Sequence, residues 1–222
     1  MIKLLSLIKE QVGSDLPDVS LATYLLDNNV ESISDTLYHG TPLIGLKEIL
    51  TSGIYGTQHG EVAEYKSFST SPNSNVLSLF SEGDGKTGIE FDVKNVKVIV
   101  LNNVLTYLVT RLPGSGIDID VDEDEVEQFC QLYKIPHGGY KNRPYLPYGY
   151  LSSLGVDAFM YDYVYNSLKY GSNMGHNDES EICFVGNGIN KLNNFANGIY
   201  VDGEDYDIKD NKTALQDIEN RI

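Results

Sequence analysis

Gly88-Ile89-Glu90-Phe91-Asp92-Val93 alternates apolar and polar residues without a break, and a second β-rich run follows from 96 to 101. Alternation at a period of two puts the apolar residues of a strand in one row, so these runs demand neighbouring strands laid against a core. Helical spacing takes over elsewhere. Residues 2–12 carry Ile2, Leu4, Leu5, Leu7, Ile8 and Val12. Gly13-Ser14-Asp15 interrupts that pattern, and Leu21, Tyr24, Leu25 and Leu26 resume it with Asp18 or Ser20 as the cap. Further helices are predicted over 43–50, after Pro72 and within the acidic block from 118 to 127. That block leads into Val126, Phe129, Cys130, Leu132 and Tyr133, which make the apolar face. Strands and helices are mixed without strict alternation, which argues an α+β fold. The first 35 residues read as a helical arm packed on a domain spanning 36–222.

Composition narrows the function classes. A hydrophobic fraction of 41% and 16 tyrosines over 222 residues suit a folded globule with a sizeable core. A net charge of −16 opposes phosphate backbones, so the expected partner is a basic or neutral protein surface and nucleic acid is disfavoured. No apolar run reaches membrane-spanning length, and Met1-Ile2-Lys3-Leu4-Leu5 lacks the long apolar region of a signal peptide, so no membrane contact is expected and the chain is assigned to the cytoplasm. Cys130 and Cys183 sit in apolar patterns and read as reduced, buried thiols. The acidic block has no accompanying His or turn glycine, so no metal is expected there.

Three short stretches carry the chemistry. In the first, Thr36-Leu37-Tyr38-His39 reads as a short strand and Gly40-Thr41-Pro42 turns the chain. Thr41 fits an N-cap with Pro42 at the first helical position, and Gly53 ends the helix. A histidine there is either a satisfied core residue or a ligand contact, and a following glycine lets a flat ligand group approach the backbone. The second stretch, Ser67-Phe68-Ser69-Thr70-Ser71-Pro72, places hydroxyls around Phe68 in a strand-edge pattern. Such hydroxyls serve turns and caps, or hold a carboxylate or ribose hydroxyl in place. The third is Asn177-Asp178-Glu179-Ser180-Glu181-Ile182-Cys183-Phe184-Val185. On a strand, Glu179 and Glu181 project from one face, and like charges so close need a cationic partner or shift each other's pKa. Ile182, Phe184 and Cys183 anchor that strand in a core.

In this order, His-Gly-Thr, Ser-Thr-Ser and Glu-x-Glu resemble the mono-ADP-ribosyltransferases, over roughly residues 36–190. Gly53-Ile54 after the first helix, Phe80 downstream of the hydroxyl strand and Leu154-Gly155-Val156-Asp157-Ala158-Phe159-Met160-Tyr161 add to the likeness. The resemblance implies a pair of packed, mostly antiparallel sheets around an NAD cleft. It also implies transfer of ADP-ribose from NAD to a protein side chain, arginine favoured, with release of nicotinamide. In that scheme NAD is a substrate and no metal takes part. Glu181 would be the catalytic glutamate, bonded to the nicotinamide ribose, and Ser69 would orient it. Glu179 would face the acceptor. Gly40 would hold the carboxamide through its backbone, His39 and Thr41 would contact the adenosine-side ribose, and Thr70 and Ser71 would shape the strand. Tyr55, Tyr65, Phe68 and Phe80 all qualify to stack on nicotinamide, with Tyr55 favoured.

One position departs from the pattern. Arginine-modifying members commonly begin with Arg on the first strand, whereas His39 stands here, as in the poly-ADP-ribose polymerase branch. Two alternatives therefore accompany the transferase reading: an NAD glycohydrolase with water as acceptor, and a non-enzymatic acidic binding module on the same fold. A small acidic enzyme of this type without a signal peptide fits a toxin or phage effector.

Overall fold

The computed structural model describes residues 19–55, 67–79, 85–101, 104–105, 122–133, 152–161 and 181–222. The helical pattern over 2–12, Glu179, Tyr65 and Phe80 lie outside the described residues.

Strand β3 (Gly88–Leu101) is the spine, because the two alternating runs of the sequence join into one strand of 14 residues. Its ladder with β1 (Val30–Gly40) is antiparallel from Val30↔Ile99 to Gly40↔Gly88. Between Ile33 and Asp35 the register shifts, so that Lys94 and Asn95 on β3 oppose Ser34 alone. Asn95 takes a positive φ of 53°, and its N–H donates to Ser34 Oγ at 3.0 Å. This β-bulge bends the spine without ending it. The other edge of β3 is shared: β6 (Ala196–Val201) pairs antiparallel with its first residues, before the bulge, and β4 (Ala158–Tyr161) runs parallel to its last four, after it.

Strand β5 (Glu181–Val185) lies between β4 and β2 (Ser67–Thr70), antiparallel to both, and β7 (Glu204–Asp207) forms a hairpin with β6. All seven strands belong to one hydrogen-bonded sheet, ordered β2-β5-β4-β3-β6-β7 with β1 along the far edge of β3. The sheet curls back on itself. Tyr38 on β1 and Ser71 just past β2 exchange backbone bonds of 2.8 and 2.9 Å, which joins the first strand to the last. The expected pair of packed sheets is thus a single continuous, mostly antiparallel sheet, because the bulge lets one long strand belong to both halves.

Each face of the sheet has its own core. On one face Leu37, Phe68, Phe91, Ile182 and Phe184 pack under α2 (Leu43–Ser52), α5 (Asn187–Leu192) and α6 (Asn211–Arg221), through Leu46, Ile189, Leu192, Ala214 and Ile218. On the other, Ile99, Leu101, Phe159 and Val185 meet Leu25 of α1 (Val19–Asn28) and Val126 and Cys130 of α4 (Glu123–Tyr133). Leu132 is 72% exposed and does not join the apolar face expected of it, since the spacing of Val126 and Cys130 fixes the inward stripe. The short helix α3 (Val76–Leu79) follows Pro72 as expected, with Leu77 fully buried. Strand β1 starts at Val30, so position 35, where the arm was expected to end, falls inside it. No helix among the described residues is long and apolar enough to cross a membrane.

Candidate active site

The ladder between β2 and β5 brings the second and third stretches together. Ser69 pairs directly with Cys183, and Glu181 lies two residues before Cys183 on the same strand. Alternation puts Ser69, Cys183 and Glu181 on one face, while Phe68, Thr70, Ile182 and Phe184 turn to the opposite core. Ser69 Oγ lies 3.4 Å from Cys183 Sγ, and the thiol donates to Glu181 Oε1 at 3.3 Å. Burial pushes the Cys183 thiol well above its usual range, and the neighbouring Glu181 carboxylate pushes it further, against a smaller opposing effect from the Ser69 hydroxyl. The sulfur is therefore a neutral donor, not a thiolate nucleophile.

His39 enters from the first stretch. Its Nδ1 lies 2.7 Å from the carbonyl oxygen of Ser69, and its ring rests on Phe68 with centroids 4.2 Å apart. A carbonyl only accepts, so the proton of this bond sits on Nδ1. The position of the ring has a backbone consequence. Tyr38 bonds toward Ser71, and Thr41 N–H bonds toward Thr87 O at 3.2 Å. Because groups on alternate residues of an antiparallel strand face opposite edges, Gly40 presents its N–H and C=O to the β2 side. In a continued ladder Gly40 would bond Ser69; the His39 ring takes the Ser69 carbonyl instead. Gly88 makes this corner possible, since a Cβ there would collide with the His39 carbonyl oxygen and the Leu77 side chain.

The remaining expected residues divide. Thr70 is buried, and its hydroxyl donates to Ile182 O at 2.9 Å, locking β2 to β5. Ser71 accepts from Asn73 N–H at 3.1 Å and shapes the turn. Phe68 lies in the core beneath His39 and supports that ring from below. Thr41 is not the helix cap: α2 begins one residue later, with Pro42 at the cap position, and the Thr41 hydroxyl packs against Gly45. Proline at the cap leaves Thr41 one residue short of reaching the first helical N–H groups. Tyr55 is 47% exposed, and its segment is tied to α5 by Ile54 N–H donating to Asn193 Oδ1 at 2.8 Å and Asn193 Nδ2 donating to Ile54 O at 3.1 Å. Glu179 and Phe80 are outside the described residues.

Two groups that the sequence reading passed over hold this arrangement. One is Cys183, between the serine and the glutamate. The other is Asp157, which is 2% exposed and joins β3, β5 and α5. It accepts from Lys97 N–H at 3.1 Å and pairs with Lys191 Nζ at 2.7 Å, and its carbonyl takes the Val185 N–H at 3.0 Å. The same-face relation of Cys183 and Glu181 was available from strand alternation. The Asp157–Lys191 pair spans 34 residues and leaves no local signal.

Among the described residues no three or more His, Cys, Asp or Glu side chains are grouped to hold a metal ion. Compared with protein-family models, curated proteins and solved structures, the chain finds no match.

Proposed function

We propose that this protein is a mono-ADP-ribosyltransferase that moves ADP-ribose from NAD to a protein side chain, arginine favoured, and releases nicotinamide. One observation carries the reading: the His39 ring bonds the Ser69 backbone 30 residues along the chain, and the Ser69 side chain reaches Glu181 through Cys183, 114 residues beyond Ser69.

The chemistry needs a fixed carboxylate. As the bond from the ribose C1′ to the nicotinamide nitrogen breaks, the bonding pair leaves with the ring and positive charge develops on the sugar. Glu181 stabilises that charge more than it stabilises the ground state. An acceptor nitrogen then bonds C1′ and gives up a proton to solvent or a nearby carboxylate. Glu179 would align a guanidinium bidentately for this attack. Gly40, with its backbone groups turned to the β2 side, would take the nicotinamide carboxamide, and His39 would meet the ribose of the adenosine half.

Incubation of the pure protein with adenine-labelled NAD and a cell lysate tests the reading. Labelled protein together with free nicotinamide is the expected result. Free nicotinamide without labelled protein would make the enzyme a glycohydrolase, and neither product would leave a binding module.

A further inference from the structure

The transferase reading assigns the serine to the glutamate directly, yet in this ladder a third side chain stands between them. Ser69 faces Cys183 across the strands, and Glu181 is its diagonal neighbour. Directly opposed side chains have Cβ atoms about 5 Å apart and diagonal ones about 7–8 Å, so the short Ser69 side chain meets the cysteine first. The contacts follow that order, with Oγ to Sγ at 3.4 Å and Sγ to Oε1 at 3.3 Å. The single thiol hydrogen goes to the carboxylate, which can only accept when ionised. The Ser69 hydroxyl must then be the donor to sulfur. All three side chains are part-buried, where a bond to a charged group is worth more than in water.

We propose that Cys183 is a positioning residue that relays the Ser69 hydroxyl to Glu181, its S–H holding the carboxylate in one orientation and its sulfur accepting from Ser69. The inference rests on the proposed transferase reading for its role, but its geometry can be tested without any turnover. A neutral thiol bonded to a carboxylate resists ionisation, both through the bond and through repulsion between thiolate and carboxylate. A merely structural cysteine responds only to packing.

The first measurement is the pH dependence of Cys183 alkylation by iodoacetamide, followed by peptide mapping so that Cys130 is scored separately. Glu181→Gln is expected to lower the midpoint by about one pH unit, the scale of a lost charged neighbour. An unchanged midpoint overturns the proposal, whatever the enzyme does.

The second measurement is steady-state NAD cleavage. Cys183→Ala and Cys183→Val should both lower kcat about tenfold while the KM for NAD stays within about twofold. They should also move the acid limb of the profile to higher pH, because the carboxylate has lost a donor. Cys183→Ser, which keeps a donor and an acceptor, should recover most of the loss. Wild-type kcat and acid limb in Cys183→Val, which fills the space without a donor, overturns the relay as well. If wild type cleaves no NAD while the alkylation midpoint moves as expected, the relay stands and the transferase reading falls.

Discussion

The Nδ1–H of His39 donates to the carbonyl oxygen of Ser69 over 2.7 Å, in the place where a continued β1–β2 ladder would put the backbone of Gly40. One side chain thereby stands where the strand pairing would continue and leaves the adjacent Gly40 backbone facing the β2 side. His39→Ala removes both the wedge and the ring on Phe68. We expect the KM for NAD to rise about tenfold with kcat changed far less, since in the proposed transfer His39 would bind substrate without meeting the developing charge. Initial rates of nicotinamide release across NAD concentrations read this split, and a kcat loss at constant KM would contradict it.

Replacing Glu181 by Gln keeps the shape and removes the charge. Cleavage of NAD should fall by about two to three orders of magnitude, the scale of losing one preorganised electrostatic contact. NAD binding, followed by calorimetry, should change little. Turnover at the wild-type rate would remove Glu181 from the reaction.

Glu179→Ala separates transfer from hydrolysis. If Glu179 aligns a guanidinium, protein labelling is lost while slow nicotinamide release persists, because Glu181 still stabilises the sugar cation. An acceptor in which the target Arg is changed to Lys should likewise go unlabelled, since an ammonium cannot match the planar fork. Equal labelling by wild type and variant would point to a non-arginine acceptor.

Asp157 and Lys191 should be non-additive. Asp157 is 2% exposed in its side chain and Lys191 51%, so the lysine can return to water and the carboxylate cannot. Lys191→Met alone should cost about 3 kcal/mol by leaving a buried charge with one fewer partner. Adding Asp157→Asn should restore part of that loss. Urea midpoints of the two singles and the double decide it, and a strictly additive double would mean that the pair is not coupled.

Alkaline stability should depend on Tyr200. Its hydroxyl donates to Glu90 Oε2 at 2.7 Å, and burial, the bond to Glu90 and the nearby carboxylates together push its pKa far above the usual tyrosine range. The folded state then keeps the proton after the unfolded chain has lost it, so stability is full below roughly pH 10 and falls as pH rises beyond it. Tyr200→Phe has no proton to lose and should show a shallower decline in urea midpoint between roughly pH 9 and 11. Parallel slopes would assign the alkaline loss to other groups.

Alternation in sequence located the long strand β3, and the helical spacing around Leu25 and Leu46 located two of the helices that cover the sheet. What escaped was set by tertiary pairing. Residues 30–35 are mostly polar and mostly exposed, so nothing in Glu31, Ser32 or Asp35 signals a strand; the long edge of β3 recruits them. The break between 93 and 96 looked like a turn and is a bulge. A local signal was present for β7 and went unused: Asp202-Gly203, at φ 50° and 93°, is a two-residue hairpin turn joining Val201 to Glu204. At the site, His39 bonds the Ser69 backbone and Glu181 meets Ser69 through Cys183, an intermediary that motif order does not reveal. Thr70 and Ser71 bond the backbone at Ile182 and Asn73, and a run of alternating hydroxyls does not reveal which partners the backbone will offer them.

The ring closure at Tyr38–Ser71 and the seat of β5 between β2 and β4 also set an order in time. Ser69 and Cys183 are 114 residues apart, so the β2–β5 ladder closes one of the longest loops in the chain, whereas the β6–β7 hairpin needs only neighbours. Long-range pairings form slowly, after local ones. On the ribosome His39 and Ser69 emerge early and wait, with β2 lacking its partner strand. Chemistry that needs Glu181 beside Ser69 can begin only once residues 181–185 have been made and slotted between β4 and β2, so the proposed release of nicotinamide would wait on this long-range pairing.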